Sequence, residues 1–343
     1  MDSMTTATTS RATAEPSGPA DQRPGTSLLA RLTRPVRAAS AVRRWAVASL
    51  VANVVIVVTG ALVRLTASGL GCPTWPRCTP ESYTAHPALG LHGAIEFGNR
   101  LLTFVLVVVA VLTWVAALLH REGARPADGV PGRPRRDLRW IAGGLALGIP
   151  AQAVIGGISV LTQLNPFVVA FHLLVSMVLI ALSVWLVRRS RRLAPQEAGR
   201  LGVLAARTTF VAMWLAVWLG TVVTGSGPHA GAAGAARTGF DGALVTELHA
   251  SAVYLALAAT AVAVWVLRSR AAVLVLAVEV LQAAVGITQY RLGLPVGLVL
   301  LHLLGASLAV AAATNLFLSV RRPRRALQPG SAPTARAERL PVA

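Results

Sequence analysis

Three histidines, His172, His249 and His302, each stand one to two helical turns inside a long apolar run. A fourth such run opens with His92, Glu96, Asn99 and Arg100. Positions 92, 96 and 99 follow the i, i+4, i+7 spacing that puts side chains on one helix face. Polar groups inside a bilayer are costly, roughly 2.5–3.5 kcal/mol for a charge, so those that remain usually have a task. A single histidine in such a run ordinarily packs and forms a hydrogen bond. Three on separate helices at one depth fit another chemistry, because facing imidazoles in a helix bundle can hold a haem iron by both axial positions. We read His249, His302 and His172 as iron ligands on that ground, with His92 as a further candidate.

Glu96 is the acid of the group. Its simplest partner is Arg100, four residues on and on the same face. Beside a bound substrate it would instead accept a proton or stabilise positive charge. Glu247 falls near the end of a run, where solvation is expected. Glu279 is deeper, three residues before Gln282, and is expected to pair with it by a hydrogen bond. His86, His120 and His229 fall in loops or at a run's end and are expected to be solvated or locally hydrogen-bonded.

The elements that position these residues are membrane helices. The 343-residue chain is 55% hydrophobic and only 13% charged, whereas soluble domains carry about 25% charged residues. Eight runs approach or exceed the roughly 20 residues that a bilayer requires: Trp45–Val63, Leu91–Leu119, Trp140–Leu161, Phe167–Val187, Thr208–Thr224, Leu244–Leu267, Ala271–Gln289 and Val296–Leu318. The net charge is +19 and every basic residue is Arg. These arginines gather at the ends of apolar runs, which is a topology signal and not a nucleic-acid surface. Arg43 and Arg44, the groups Arg121 to Arg139 and Arg188 to Arg207, Arg268 and Arg270, and Arg321 to Arg325 occupy one alternate set of segments. The other set holds Arg64, Arg77, Arg237 and Arg291. The positive-inside rule then predicts eight spans with both termini in the cytoplasm.

The chain also repeats. Gln152, Gly156, Leu164 and His172 match Gln282, Gly286, Leu294 and His302, each pair 130 residues apart. Val58-Thr59-Gly60 echoes Val223-Thr224-Gly225. This predicts an all-α integral membrane protein of eight helices in two parallel four-helix halves. The halves are residues 42–190, with one candidate haem site and the cysteine loop, and residues 206–320, with the other. Residues 191–205 would link them, and residues 1–41 and 321–343 would be disordered cytoplasmic tails.

Cys72 and Cys78 are the only cysteines, in the stretch Gly69-Leu70-Gly71-Cys72-Pro73-Thr74-Trp75-Pro76-Arg77-Cys78. The predicted topology puts them on the outer, oxidising side, where a disulfide can persist. Free thiols and a metal pair are the other readings, the latter without a third soft ligand nearby.

Taken together, these stretches resemble the haem A synthase family. The carriers are Gly69 to Cys78, Glu96-Phe97-Gly98-Asn99-Arg100, and the histidines in Gln152…His172, Leu248-His249 and Gln282…His302. The resemblance covers nearly all of Arg43 to Arg321. It implies oxidation of the C8 methyl of haem O, first to an alcohol and then to a hydrate that loses water to give the formyl group of haem A. It further implies two haem sites, one for a cofactor and one for the substrate. Because His249 and His302 offer a complete axial pair, we assign the resident haem b to them and the substrate haem O to His172, Glu96, His92, Asn99 and Arg100. Expected surroundings are a bacterial plasma membrane and its lipid, haem O synthase, terminal oxidase assembly and a possible homo-oligomer, with no nucleic acid. One departure matters: where the family has a histidine, three residues after the glutamate, this chain has Asn99. A b-type electron-transfer cytochrome is the alternative function, and a repeat-built transporter a third class.

Overall fold

A computed structural model describes residues 39–123 and 132–323. Most of the expected tails lies outside the described residues. The described residues form eight long helices: α1 (Ala39–Leu65), α2 (Gly90–Leu119), α3 (Arg136–Leu161), α4 (Pro166–Ser190), α5 (Arg200–Ser226), α6 (Gly242–Leu267), α7 (Arg270–Arg291) and α8 (Val296–Leu318). All eight are long and apolar enough to cross a membrane. Even α7, with 22 residues, spans about 33 Å at 1.5 Å per residue, enough for a hydrocarbon layer of about 30 Å. The protein is thus a multi-pass membrane protein.

The packing follows membrane rules, with small residues between helices and large ones facing outward. Ala46, Ala110, Ala116 and Ala142 line one core, and Ala205, Ala206, Ala263 and Ala272 another. Trp140, Leu147 and Trp265 are more than two-thirds exposed, as side chains facing lipid would be. In the first four helices each packs on its chain neighbour, and α4 closes back on α1; α5 to α8 close in the same way, α8 on α5. The rings meet where α4 and α8 pack, with α1 and α5 beside them, over Val57, Met177, Ile180, Met213 and Val310. Diagonal partners across each ring are therefore α2 with α4 and α6 with α8.

Several helix starts are fixed by side chains that accept an otherwise orphaned backbone N–H. Asn165 caps α4, Asp241 caps α6 and Ser269 caps α7. The α3–α4 and α7–α8 connections are short turns closed alike, Leu164 N–H to Ser159 O and Leu294 N–H to Gln289 O, both at 2.7 Å. Helix α5 begins at Arg200, eight residues before the apolar run at Thr208. Arg200 and Arg207 are exposed there, so hydropathy alone starts the run too late. Within the stretch expected as a linker, Gln196–Glu197 pairs with Val320–Arg321 as a two-residue parallel ladder.

Candidate functional site

His249 on α6 and His302 on α8 face each other across the second ring, with ring centroids 6.5 Å apart and planes inclined by 75°. His249 Nδ1 lies 2.9 Å from the Ala216 carbonyl oxygen of α5. A carbonyl only accepts, so Nδ1 carries the proton and Nε2 keeps its lone pair, as a metal-binding imidazole requires. Gly220, one turn beyond Ala216, lets the ring approach: a Cβ there would stand 3.2 Å from His249 Cε1. Gly286 of α7 does the same for His302, at 3.3 Å. Gln282, one turn before Gly286, donates Nε2–H to the His302 backbone carbonyl at 2.9 Å. Its side chain fills the space that any Cβ at Gly305 would need. His302 Nδ1 is buried with no hydrogen-bond partner.

This spacing fits an iron held by two imidazoles. A metal–imidazole bond of about 2 Å on each side, plus roughly 1 Å from ring nitrogen to ring centre, gives about 6 Å between centroids. Among the described residues no three or more His, Cys, Asp or Glu side chains gather as a metal-ion site. A pair of imidazoles suits an iron whose remaining ligands come from a porphyrin.

The first ring holds His172 on α4 in the same setting. Gln152 of α3 donates Nε2–H to the His172 carbonyl at 3.0 Å and also contacts the Ser176 hydroxyl. Gly156 would place a Cβ 3.2 Å from His172 Cε1. The diagonal helix, α2, carries Asn99, whose Oδ1 accepts the Thr59 hydroxyl of α1 at 2.8 Å. Gly60, next to Thr59, has nothing within 4 Å of a Cβ built on it. His172 Nδ1 is buried without a hydrogen-bond partner.

Glu96 and Arg100 join the cysteine loop to α2. Cys72 and Cys78 form a disulfide. Glu96 is buried; Oε2 accepts the Cys72 amide at 2.6 Å and Oε1 accepts Arg100 Nη2 at 2.6 Å. Arg100 also donates to the carbonyls of Cys72, Thr74 and Arg77 at 3.0–3.2 Å. Trp75 lies flat against Gly157 of α3, where a Cβ would collide with its indole. Gly71 passes so close to the His92 carbonyl that no side chain would fit. His92 itself sits in the first turn of α2, exposed, with Nδ1 2.9 Å from the Ser68 hydroxyl. It lies seven residues, or about 10 Å, from Asn99 along the helix.

Some placements differ from the expectations. Glu279 is buried and its Oε1 meets Thr260 of α6 at 3.1 Å, so its bond is to the neighbouring helix and not to Gln282. His229 Nε2 lies 3.0 Å from the Leu294 carbonyl, a long-range bond where solvation or a local bond was expected. Arg64 has a structural part that the charge pattern did not reveal. It reaches from α1 to the other ring, donating to the carbonyls of His229 at 2.8 Å and Thr224 at 3.1 Å. Beside it, Gly69 N–H donates to Gly231 O at 2.8 Å. Glu247 is exposed as expected, whereas His120, at the end of α2, is buried.

A family model described as cytochrome oxidase assembly protein (COX15-CtaA) matches residues 43–88 and 91–250. That match includes both cysteines, Glu96, Asn99, Arg100, His172 and His249, and stops before His302. The chain is 32% identical over 155 residues to the heme A synthase of Geobacillus thermodenitrificans, covering 44% of each chain. It is 33% identical over 153 residues to that of Lysinibacillus sphaericus, covering 43% of this chain and 45% of the relative. A heme A synthase of Listeria welshimeri is 26% identical over 189 residues, 52% of this chain and 57% of the relative. The matched stretch thus spans about half the length of these relatives.

Proposed function

The chain belongs to the cytochrome oxidase assembly protein family (COX15-CtaA), and from that premise we propose that it is a haem A synthase. It oxidises the C8 methyl of haem O to a formyl group by successive hydroxylations, in a bacterial plasma membrane with both termini in the cytoplasm. The observation that carries the reading is the pair His249 and His302, 6.5 Å apart, with the Ala216 carbonyl fixing the His249 tautomer. These two would hold a resident haem b, with His172 facing the substrate haem in the other half. A bound haem supplies an iron that takes and gives one electron at a time.

The remaining work falls to the chain's own side chains. Gln152 and Gln282 pin the backbones that carry His172 and His302. The disulfide loop, drawn onto α2 by Glu96 and Arg100, covers one end of the first ring. Glu96, one turn from Asn99, supplies negative charge near the substrate methyl, as a proton acceptor or as a stabiliser of developing positive charge. His92 at the mouth, held by Ser68, and Arg100 complete the surroundings of that haem. Haem O synthase and the terminal oxidase under assembly are the partners such an activity requires.

A b-type electron-transfer cytochrome would use the histidine pair equally well. It has no need of a half that offers one imidazole beside a buried acid. Haem extracted from cells with and without the gene tests the reading. Haem A should appear, and haem O fall, only when the gene is present. An unchanged haem O content, with a bis-histidine spectrum in the purified protein, would make it an electron carrier.

A further inference from the structure

The two rings differ at one diagonal position, and the difference leaves room. In the second ring Gly220 is filled by the His249 imidazole at 3.2 Å. In the first ring Gly60, next to the Thr59 that meets Asn99, has nothing within 4 Å of a Cβ built on it. The diagonal residue is Asn99, shorter than histidine, opposite the helix that carries His172. Its Oδ1 is taken by the Thr59 hydroxyl at 2.8 Å. That bond is the shortest of the three contacts that the Thr59 hydroxyl makes, the others being to the Val55 and Ile56 carbonyls at 3.2 and 3.3 Å, and with Thr59 donating to Oδ1 the amide nitrogen is left over. The two Nδ2 hydrogens then form no hydrogen bond with any described residue.

We propose that the open space at Gly60 and the free Asn99 amide form a binding site for a small exogenous iron ligand, one that accepts a hydrogen bond, on the haem held by His172. The inference rests on the haem reading above. An amide is a poor iron ligand but a good hydrogen-bond donor. His172 therefore supplies one axial bond, and the opposite face stays open to a small molecule whose outer atom Asn99 Nδ2 can reach. Thr59 acts as a positioning residue, holding the amide so that it offers N–H groups and not its oxygen. The second ring cannot do this, because His249 and His302 occupy both sides.

Azide is the probe. The purified full-length protein, loaded with ferric haem b, is titrated with azide and followed by its Soret absorbance. About one of the two haems should respond. Asn99→His offers a second imidazole to the first ring and should abolish the response. Asn99→Leu keeps the face open but removes the donor, so azide should bind about three- to tenfold more weakly, the range for one hydrogen bond. A haem-loaded parent that ignores azide overturns the proposal. So does an Asn99→His protein that responds like the parent, or an Asn99→Leu protein of parental affinity. A parent that retains no haem at all overturns the haem reading itself.

Discussion

At the scale of single residues, the three histidines are not equivalent. Only His249 has its tautomer fixed by the protein, through Ala216, and only His249 and His302 face one another. Replacing either by Ala should strip the haem that survives purification, read as lost Soret absorbance. His172→Ala should keep most of that absorbance and lose turnover. The reverse pattern would exchange the assignments of the two rings. Glu96 calls for a different comparison, because it is buried against Arg100. Removing one partner of a buried ion pair typically costs about 3–5 kcal/mol, so Glu96→Ala and Arg100→Ala should both lower thermal stability. If Glu96 also acts on the substrate, Glu96→Ala should still bind haem yet form little haem A, at temperatures where the protein remains folded. Near-normal haem A from that variant would leave Glu96 as a structural partner only. The residue types and their spacing made these positions legible in the sequence. The glycines beside the imidazoles were not, since a close approach between helices leaves no mark on a single run. Gly156 and Gly286 stood in the repeated strings with no role to read from them.

At the scale of elements, the eight helices were legible because their apolar runs match the thickness of a bilayer. Their boundaries were less so where arginines extend a helix past the apolar zone, as in α5. The loop from Gly69 to Cys78 shows what one element can do. Its disulfide closes it on itself, while the Arg100 bonds to three of its carbonyls and the Trp75 contact on Gly157 hold it onto the first ring. Mass mapping without reduction should find Cys72 joined to Cys78. Closing so short a loop contributes about 2–3 kcal/mol by chain entropy. The Arg100 clamp would persist without it. Cys72→Ser with Cys78→Ser should therefore leave a folded protein that unfolds at lower temperature, with faster proteolysis between Arg77 and Tyr83. Two independently alkylatable thiols in protein isolated under non-reducing conditions would remove this account of the loop.

At the scale of the whole molecule, the rings are joined on the cysteine-loop side by Arg64 and by the bond from Gly69 to Gly231. This cross-link was invisible in sequence, where Arg64 counted only as one loop charge. Its direction is nevertheless tied to the charge pattern. The segments at the opposite ends of the helices hold the arginine groups Arg121 to Arg139 and Arg188 to Arg207, while the cysteine-loop side holds few. Translocating a cluster of arginines is disfavoured, and on that ground we propose that the rich side faces the cytoplasm. Eight helices are an even number, so Ala39 and Leu318 lie on the same side. Reporter tags inserted at Arg133 and Arg191 should therefore be protected in intact cells, and tags near Tyr83 and Gly239 should be accessible from outside. The two outer tags test different rings. Tyr83 lies between α1 and α2, and Gly239 between α5 and α6. A cytoplasmic signal at Gly239 with an external one at Tyr83 would mean that the second ring enters the membrane the other way round, which the Arg64 bonds to His229 and Thr224 do not permit.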